Sequence, residues 1–390
     1  MPRAAKGEGT IFETPTGWRG YVTVNGKRVG FRAKNKAEAA QKKRELLNRR
    51  DSVGIATDTT YTVGSWINQW IEATEGIHAK KTHAGYTYAA NHYLSKSFMA
   101  LPLTKVNVER IEAEYRRLKK EGLAGTTIRQ VHSIVHTSLK VAQQRGYIPF
   151  NPASIVIEKP KRERSEVTTM SEADIAAIET VLEGHRLKAR WHIGLALGLR
   201  PSEALGLEWK HVDFDNEKLV IRQQVQQIGK DMVLVEATKT DAGWRDVPLP
   251  NYIADMLKEH RIRQLQEVAG SGVEMWSPDG KPHSWVFTSS RRPGRPLTHD
   301  GDSTEWRKLV ALAGVPHVRR YAARHTAASF LVAKNVDIAT VAAILGHTDA
   351  GFTLKTYVHA MDERKKAVGA MLDKNKVPDK VPDTFDPNAA

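Results

Sequence analysis

Gly198-Leu199-Arg200-Pro201-Ser202-Glu203-Ala204-Leu205-Gly206-Leu207-Glu208-Trp209 ends one helix and begins another. Pro201 suits a first helical position, where a missing N–H costs nothing. Leu205 and Trp209 lie four apart and share a face for packing. Arg200 sits at the junction, from which its guanidinium can leave the core, and Glu203 is close enough to orient it. Three more stretches carry chemistry-bearing residues. Thr238-Lys239-Thr240-Asp241-Ala242-Gly243-Trp244-Arg245 falls between two predicted strands, which puts Lys239 near a hairpin tip. Arg320-Tyr321-Ala322-Ala323-Arg324-His325-Thr326-Ala327-Ala328-Ser329 lies on a helix or its entrance. Leu345-Gly346-His347 suits a helix end leading into a loop, and Tyr357 follows ten residues later (357 − 347). Each stretch alone is weak; the ordered set is strong.

Around this set the chain divides. Trp18–Val24 and Lys27–Arg32 alternate in polarity about Asn25-Gly26, the strongest short hairpin signal. Val22, Val24, Val29 and Phe31 share one face; Arg19, Tyr21, Thr23, Arg28 and Arg32 share the other. Asn35 and Glu38 mark a helix start, and Ala37, Ala40 and Leu47 of that helix can cover the apolar face. The exposed face, with Arg19, Tyr21, Arg28 and Arg32, suits entry into a DNA groove. Residues 62–148 read as helices only. Trp66, Ile67, Trp70 and Ile71 form one stripe; Ile111, Tyr115 and Leu118 follow Asn107; Ile128, Val131, Ile134, Val135, Leu139 and Ala142 form another. A basic linker around Lys159–Arg164 precedes a helix restart at Ser171 and Asp174. The third domain is mostly helical, with strands at Leu219–Val225, Asp231–Glu236 and Arg245–Leu249. The tail repeats Lys-Val-Pro-Asp and has little to bury, so disorder is expected there.

Composition narrows the function classes. The 390 residues carry 59 Lys+Arg against 44 Asp+Glu, a net charge of +15, and no cysteine. Disulfides, thiol nucleophiles and Cys-ligated zinc are therefore excluded. Residues 1–50 hold 13 Lys/Arg and 4 Asp/Glu, so +9 of the excess lies at one end, as expected of a polyanion-binding arm. No apolar run approaches a membrane span and no secretory leader is legible, which together predict a cytoplasmic, nucleoid-associated protein. Of the 15 histidines, His132 and His136 are four apart but flank a packing stripe, and no ligand pair completes a zinc site. No phosphate-binding Gly-rich loop or carboxylate cluster is present; no metal and no cofactor are expected.

The ordered set resembles the tyrosine recombinase, or phage integrase, family: an arginine in a Gly-Leu-Arg-x-x-Glu box, a lysine in a strand turn, a His-x-x-Arg pair, Leu-Gly-His, then a tyrosine. The resemblance covers roughly residues 165–372. It implies Arg200, Lys239, Arg324 and His347 around a nucleophilic Tyr357. Tyr321 stands where the family has histidine; a phenol can donate to a phosphate oxygen but is no neutral-pH base. His317 and His325 are the nearby imidazoles that could take that role, and His317 with Arg320 forms a rival His-x-x-Arg pair. The implied architecture is multidomain: a small α+β arm-binding domain (1–55), an all-α core-binding bundle (60–155), a mainly-α catalytic domain with a small antiparallel sheet (165–372), and a tail (373–390). Also implied are double-stranded DNA with core and arm attachment sites as partner, and a homotetramer in which Met361–Leu372 is exchanged between neighbours. A host DNA-bending protein and an excisionase would be accessory partners. A transposon integrase, an Xer-like resolvase, a type IB topoisomerase or a non-catalytic DNA-binding regulator are the competing readings.

Overall fold

The computed structural model describes residues 9–24, 27–51, 61–157, 168–236, 244–269, 272–273, 275–347, 351 and 354. Asn25-Gly26, the linker at 159–164, Lys239, Tyr357, Met361–Leu372 and the tail lie outside these residues. The chain forms two compact units, residues 1–165 and 166–390. The described part is mainly helical with small antiparallel sheets, as the sequence predicts.

In the first unit, β1 (Thr10–Thr14), β2 (Gly17–Val24) and β3 (Lys27–Ala33) form an antiparallel sheet in that order. The register pairs Arg19 with Arg32, Thr23 with Arg28 and Val22 with Val29, which gives the two faces expected from alternation. Strand β1 is an addition to the predicted hairpin. It pairs Phe12 with Arg19, so an exposed Phe12 joins the basic face. Helix α1 (Lys36–Asp51) packs on the other face. Asn35 Oδ1 accepts from Glu38 N–H at 2.9 Å, while the Glu38 carboxylate reaches back to Lys34 N–H at 2.8 Å. Ala39 is the residue sealed against the sheet, whereas the predicted Ala37 is exposed. In an Ala- and Lys-rich helix the apolar phase is too weak to read from sequence.

Helices α2 (Val63–Ala73), α3 (Lys80–Tyr93), α4 (Lys96–Met99), α5 (Val108–Lys120) and α6 (Gly125–Gln144) build a bundle. Its core is the predicted stripes: Trp66, Ile67, Trp70 and Ile71 with Ile111, Leu118, Ile134 and Val135. His132 Nδ1 lies 2.9 Å from the Tyr115 hydroxyl, a structural contact inside the bundle.

The second unit opens with α7 (Glu172–Leu182), capped by the Ser171–Asp174 box, then α8 (Lys188–Ala196) and α9 (Pro201–Leu205). Strands β4 (Val212–Asp213), β5 (Lys218–Ile221), β6 (Gln223–Ile228), β7 (Asp231–Glu236) and β8 (Arg245–Pro248) follow. The predicted first strand breaks at Arg222. β5 joins β4 and β8 in one sheet, and β6 pairs with β7 alone. Arg222 turns outward to Asp246 at 3.2 Å and lies over the Trp244 ring. Helices α10 (Asn251–Val268), α11 (His299–Leu312), α12 (Tyr321–Ala333) and α13 (Ile338–Leu345) complete the unit. Helix α8 packs against α10 and α12, and its Trp191 meets Trp306 of α11 at 5.1 Å. Full burial of a large apolar side chain gains about 1.5–3 kcal/mol, so this centre is the rigid floor on which the polar residues stand.

Candidate active site

Three guanidiniums converge on the end of α13. Arg245 Nε donates to the Ile344 carbonyl at 2.6 Å, Arg324 Nη2 to that of Leu345 at 2.7 Å, and Arg200 Nη2 to that of Gly346 at 2.6 Å. These carbonyls have no partner within the helix and carry its partial negative charge. Gly346 ends the helix at φ +66°, a left-handed cap that glycine adopts without strain. The backbone then turns so that His347 N–H returns to the Ala342 carbonyl at 2.9 Å. Arg324 Nη1 also donates to the Gly198 carbonyl at 2.8 Å. Gly198 has φ +65°, and a side chain there would strike Leu345 Cδ2 at 2.5 Å, so the close approach of α13 requires glycine.

Glu203 is the hub on the other side. It is buried and accepts from Arg200 Nη1 at 2.6 Å, from the Arg200 backbone N–H at 2.9 Å, and from Arg245 Nη1 and Nη2 at 3.1 and 2.7 Å. Burial alone would raise its pKa, but Arg245 and Arg200 hold it below the usual carboxylate range. Arg200 and Arg245 thus share one carboxylate while Arg324 is held by the Gly198 and Leu345 carbonyls, leaving a local excess of two. Sequence reasoning passed over Arg245. Its signal is position: in β8 it alternates with the buried Val247, where strand periodicity calls for an apolar residue.

Arg324 is 1% exposed, and burial together with Arg200 pushes its pKa down to about 10. It stays charged at neutral pH. His347 is pushed down to about 4, first by burial and then by Arg324 and Arg200. Its folded pKa is thus below the ordinary 6.5. The imidazole is neutral in the folded chain, and stability falls as pH drops from about 6.5 towards 4, where the unfolded state takes the proton first. A His347 imidazole NMR titration, assigned with His347→Gln, should have its midpoint near pH 4 without DNA and rise when a phosphate neutralises the arginines. A midpoint at or above 6 in the free protein contradicts this electrostatic picture.

Tyr321 opens α12 and is 41% exposed. The ring of His325, one turn on, meets it edge-on at 5.1 Å. His325 is half-buried, with its pKa lowered by burial and by Arg324, and it acts electrostatically on His347. His317 is exposed in the turn before α12. Its rival partner Arg320 is committed elsewhere: it pairs with the fully buried Asp302 of α11, which also holds Arg190 of α8 at 2.8 Å. Of the six predicted site residues, the structure brings together Arg200, Arg324, His347 and Tyr321; Lys239 and Tyr357 lie outside the described residues. In the chain, Lys239 falls between the strand ends Glu236 and Arg245.

Known proteins resemble this chain over most of its length. The model of the phage integrase family matches residues 168–364. A protein described as tyrosine recombinase XerC-like, from Caldanaerobacter subterraneus subsp. tengcongensis, is 30% identical over 89% of this chain and 93% of its own. An integrase of Saccharopolyspora erythraea is 27% identical over 95% of this chain and 97% of its own. Among solved structures, the Tn1549 transposon integrase in complex with a circular intermediate DNA aligns with a TM-score of 0.68 at 21% identity, over 80% of this chain and 100% of that one. A lambda integrase dimer bound to a COC′ core site gives 0.54 at 15% identity, over 89% and 94%. At these identities the structural matches establish the fold.

Proposed function

The chain belongs to the phage integrase family of tyrosine recombinases, and we propose from this that it breaks and rejoins duplex DNA with Tyr357 as nucleophile. It is a site-specific DNA recombinase. The observation that carries it is the +2 excess of Arg200, Arg245 and Arg324 over Glu203. A phosphodiester carries one negative charge, and a second develops as the nucleophile adds. A site preset for that charge favours the transition state over the ground state.

In this reading Arg200 and Arg324 clamp the two non-bridging oxygens, their orientation fixed in advance by the carbonyls of Gly346, Leu345 and Gly198. Arg245 positions Glu203 and through it Arg200. His347, neutral, donates its ring N–H to the same phosphate. Tyr321 and His325 border it. The Tyr357 hydroxyl attacks phosphorus, its proton passing to a neutral imidazole, for which His325 at the border of the site is the candidate. The P–O5′ bond breaks, leaving a 3′-phosphotyrosine. Lys239 gives its proton to the departing 5′ oxygen. A 5′-hydroxyl of the partner strand reverses the step. One phosphodiester replaces another, so no ATP and no metal ion enter the balance.

A nicked suicide duplex tests this reading, with chelator present and no nucleotide. Wild type should form a covalent protein–DNA adduct and Tyr357→Phe none. An adduct that persists in Tyr357→Phe places the nucleophile elsewhere; bound DNA without adduct in wild type favours a non-catalytic DNA-binding regulator. As partners, the reading includes duplex DNA with core and arm sites, a homotetramer, a host DNA-bending protein and an excisionase, all in the cytoplasm of a bacterial host. Among the described residues no helix is long and apolar enough to cross a membrane. The arm is assigned to Arg19, Tyr21, Arg28 and Arg32; Arg28 stacks over Tyr21 at 4.4 Å, which stiffens that face. Joint replacement of the four by Ala should abolish arm-duplex binding with core binding retained, and arm binding that survives rejects the assignment.

A further inference from the structure

One surface of the second unit holds more positive charge than its own acids neutralise. Residues 287–297 double back on themselves: Leu297 N–H donates to the Phe287 carbonyl at 3.1 Å and Ser289 N–H to that of Arg295 at 2.9 Å. At the tip, Arg295 N–H donates to the Arg292 carbonyl at 3.2 Å, and Gly294 makes the reversal at φ +78°. The Gly294 carbonyl accepts from Trp276 N–H at 3.0 Å, and Trp276 rests on the buried Trp285. The tip is therefore braced against the core. It presents Arg291, Arg292 and Arg295, all exposed.

The three arginines line an open pocket of about 550 Å³ together with Arg186 and Lys308. The latter two are spoken for. Arg186 is held by both oxygens of Glu267 at 2.7 and 2.6 Å, and Lys308 by Glu305 at 3.1 Å. The other acid lining the pocket from α11, Asp300, takes the Gln227 amide at 2.8 Å. No ion pair to Arg291, Arg292 or Arg295 occurs among the described residues. Three guanidiniums within five positions repel one another, and a braced loop that keeps them together fits an anionic partner.

We propose that this pocket docks backbone phosphates of duplex DNA away from the scissile phosphate, an inference that rests on the recombinase reading. The charges fan out over an open, solvent-exposed rim, which suits successive phosphates of a strand. A small anion would instead call for donors converging in a closed cavity. The acids in the first turn of α11, Asp300 and Asp302, leave the work to the arginines and not to the helix end.

The test uses the full chain with Arg291→Gln, Arg292→Gln and Arg295→Gln combined, and duplex binding measured by anisotropy across a salt series. Each phosphate contact contributes about 0.9 to the slope of log K against log[salt]. The triple variant should lose roughly two to three from that slope, bind at least about tenfold more weakly near physiological salt, and melt as wild type does. A control with Lys258→Gln, Lys281→Gln and Lys334→Gln, outside the pocket, should keep the wild-type slope. At saturating DNA the triple variant should still form the Tyr357 adduct at the wild-type rate. An unchanged slope overturns the proposal, whatever the adduct assay gives. A lowered slope in a protein that never forms an adduct retains the docking surface and removes the recombinase reading instead. Tight uptake of inorganic tripolyphosphate that duplex does not displace, and that the triple variant loses, reassigns the pocket to a small anion and also overturns the proposal.

Discussion

Arg324→Ala is expected to slow adduct formation at saturating DNA by about 10²- to 10³-fold or more, the usual cost of one preorganised oxyanion donor. Melting should change far less than the rate. The substitution opens a cavity and strands the Gly198 and Leu345 carbonyls, but it also removes a buried charge that Arg200 repels. Arg324→Lys should fall nearly as far as Ala. An ammonium is a point donor, and it cannot span two carbonyls while presenting a planar edge to a phosphate. The measurement is single-turnover cleavage with DNA binding monitored separately. A lysine variant within about tenfold of wild type would mean that charge alone suffices and that the clamp geometry is irrelevant.

Asp302→Ala should cost the second unit about 3–5 kcal/mol, the range found when one partner of a buried ion pair is removed. Arg190 is 2% exposed and the Arg320 side chain 8%, so both would keep their charges with no counter-ion and little water. The effect should reach the active site as well. Arg320 is the residue immediately before α12, and that helix carries Tyr321 and Arg324. Adding Arg190→Met to Asp302→Ala should recover part of the loss, because one of the stranded charges is gone. Denaturant midpoints check this, and a loss below about 1 kcal/mol would show that water reaches the cluster and solvates it.

The legibility of the fold followed the strength of each local signal. In α6 the predicted apolar positions are all buried, because a long amphipathic helix repeats its signal over several turns. The β2–β3 pairing was legible through alternation. Strand β1 was not: Thr10–Thr14 is an edge strand largely open to solvent, and its place is set by Gly20, where a side chain would meet the Thr10 carbonyl at 2.7 Å. The break at Arg222 escaped notice because the residues on both sides of it have strand character, and only partner choice separates them.

The candidate site was legible as an ordered set of residue types, and Arg200, Arg324 and His347 do meet. The residues that follow Arg324 favour it over Arg320; the commitment of Arg320 elsewhere was not legible, since Asp302 lies 18 positions before it and no local pattern announces that pair. Arg245 was hidden for a similar reason: its carboxylate partner is 42 positions away, and an arginine in a strand reads as surface.

The three successive carbonyls of residues 344–346 tie the site to the fraying of one helix end. In an ordinary protein the last turn opens often and independently, at little free energy. Here a single opening of α13 would take one carbonyl from each of Arg245, Arg324 and Arg200 at once, leaving Glu203 and the Gly198 carbonyl as their remaining holds. Hydrogen exchange at the His347 amide, which closes that turn on Ala342, therefore reports the fraction of molecules in which the helix end holds all three. Any ligand that holds the three guanidiniums should slow that exchange in proportion to how tightly it is bound.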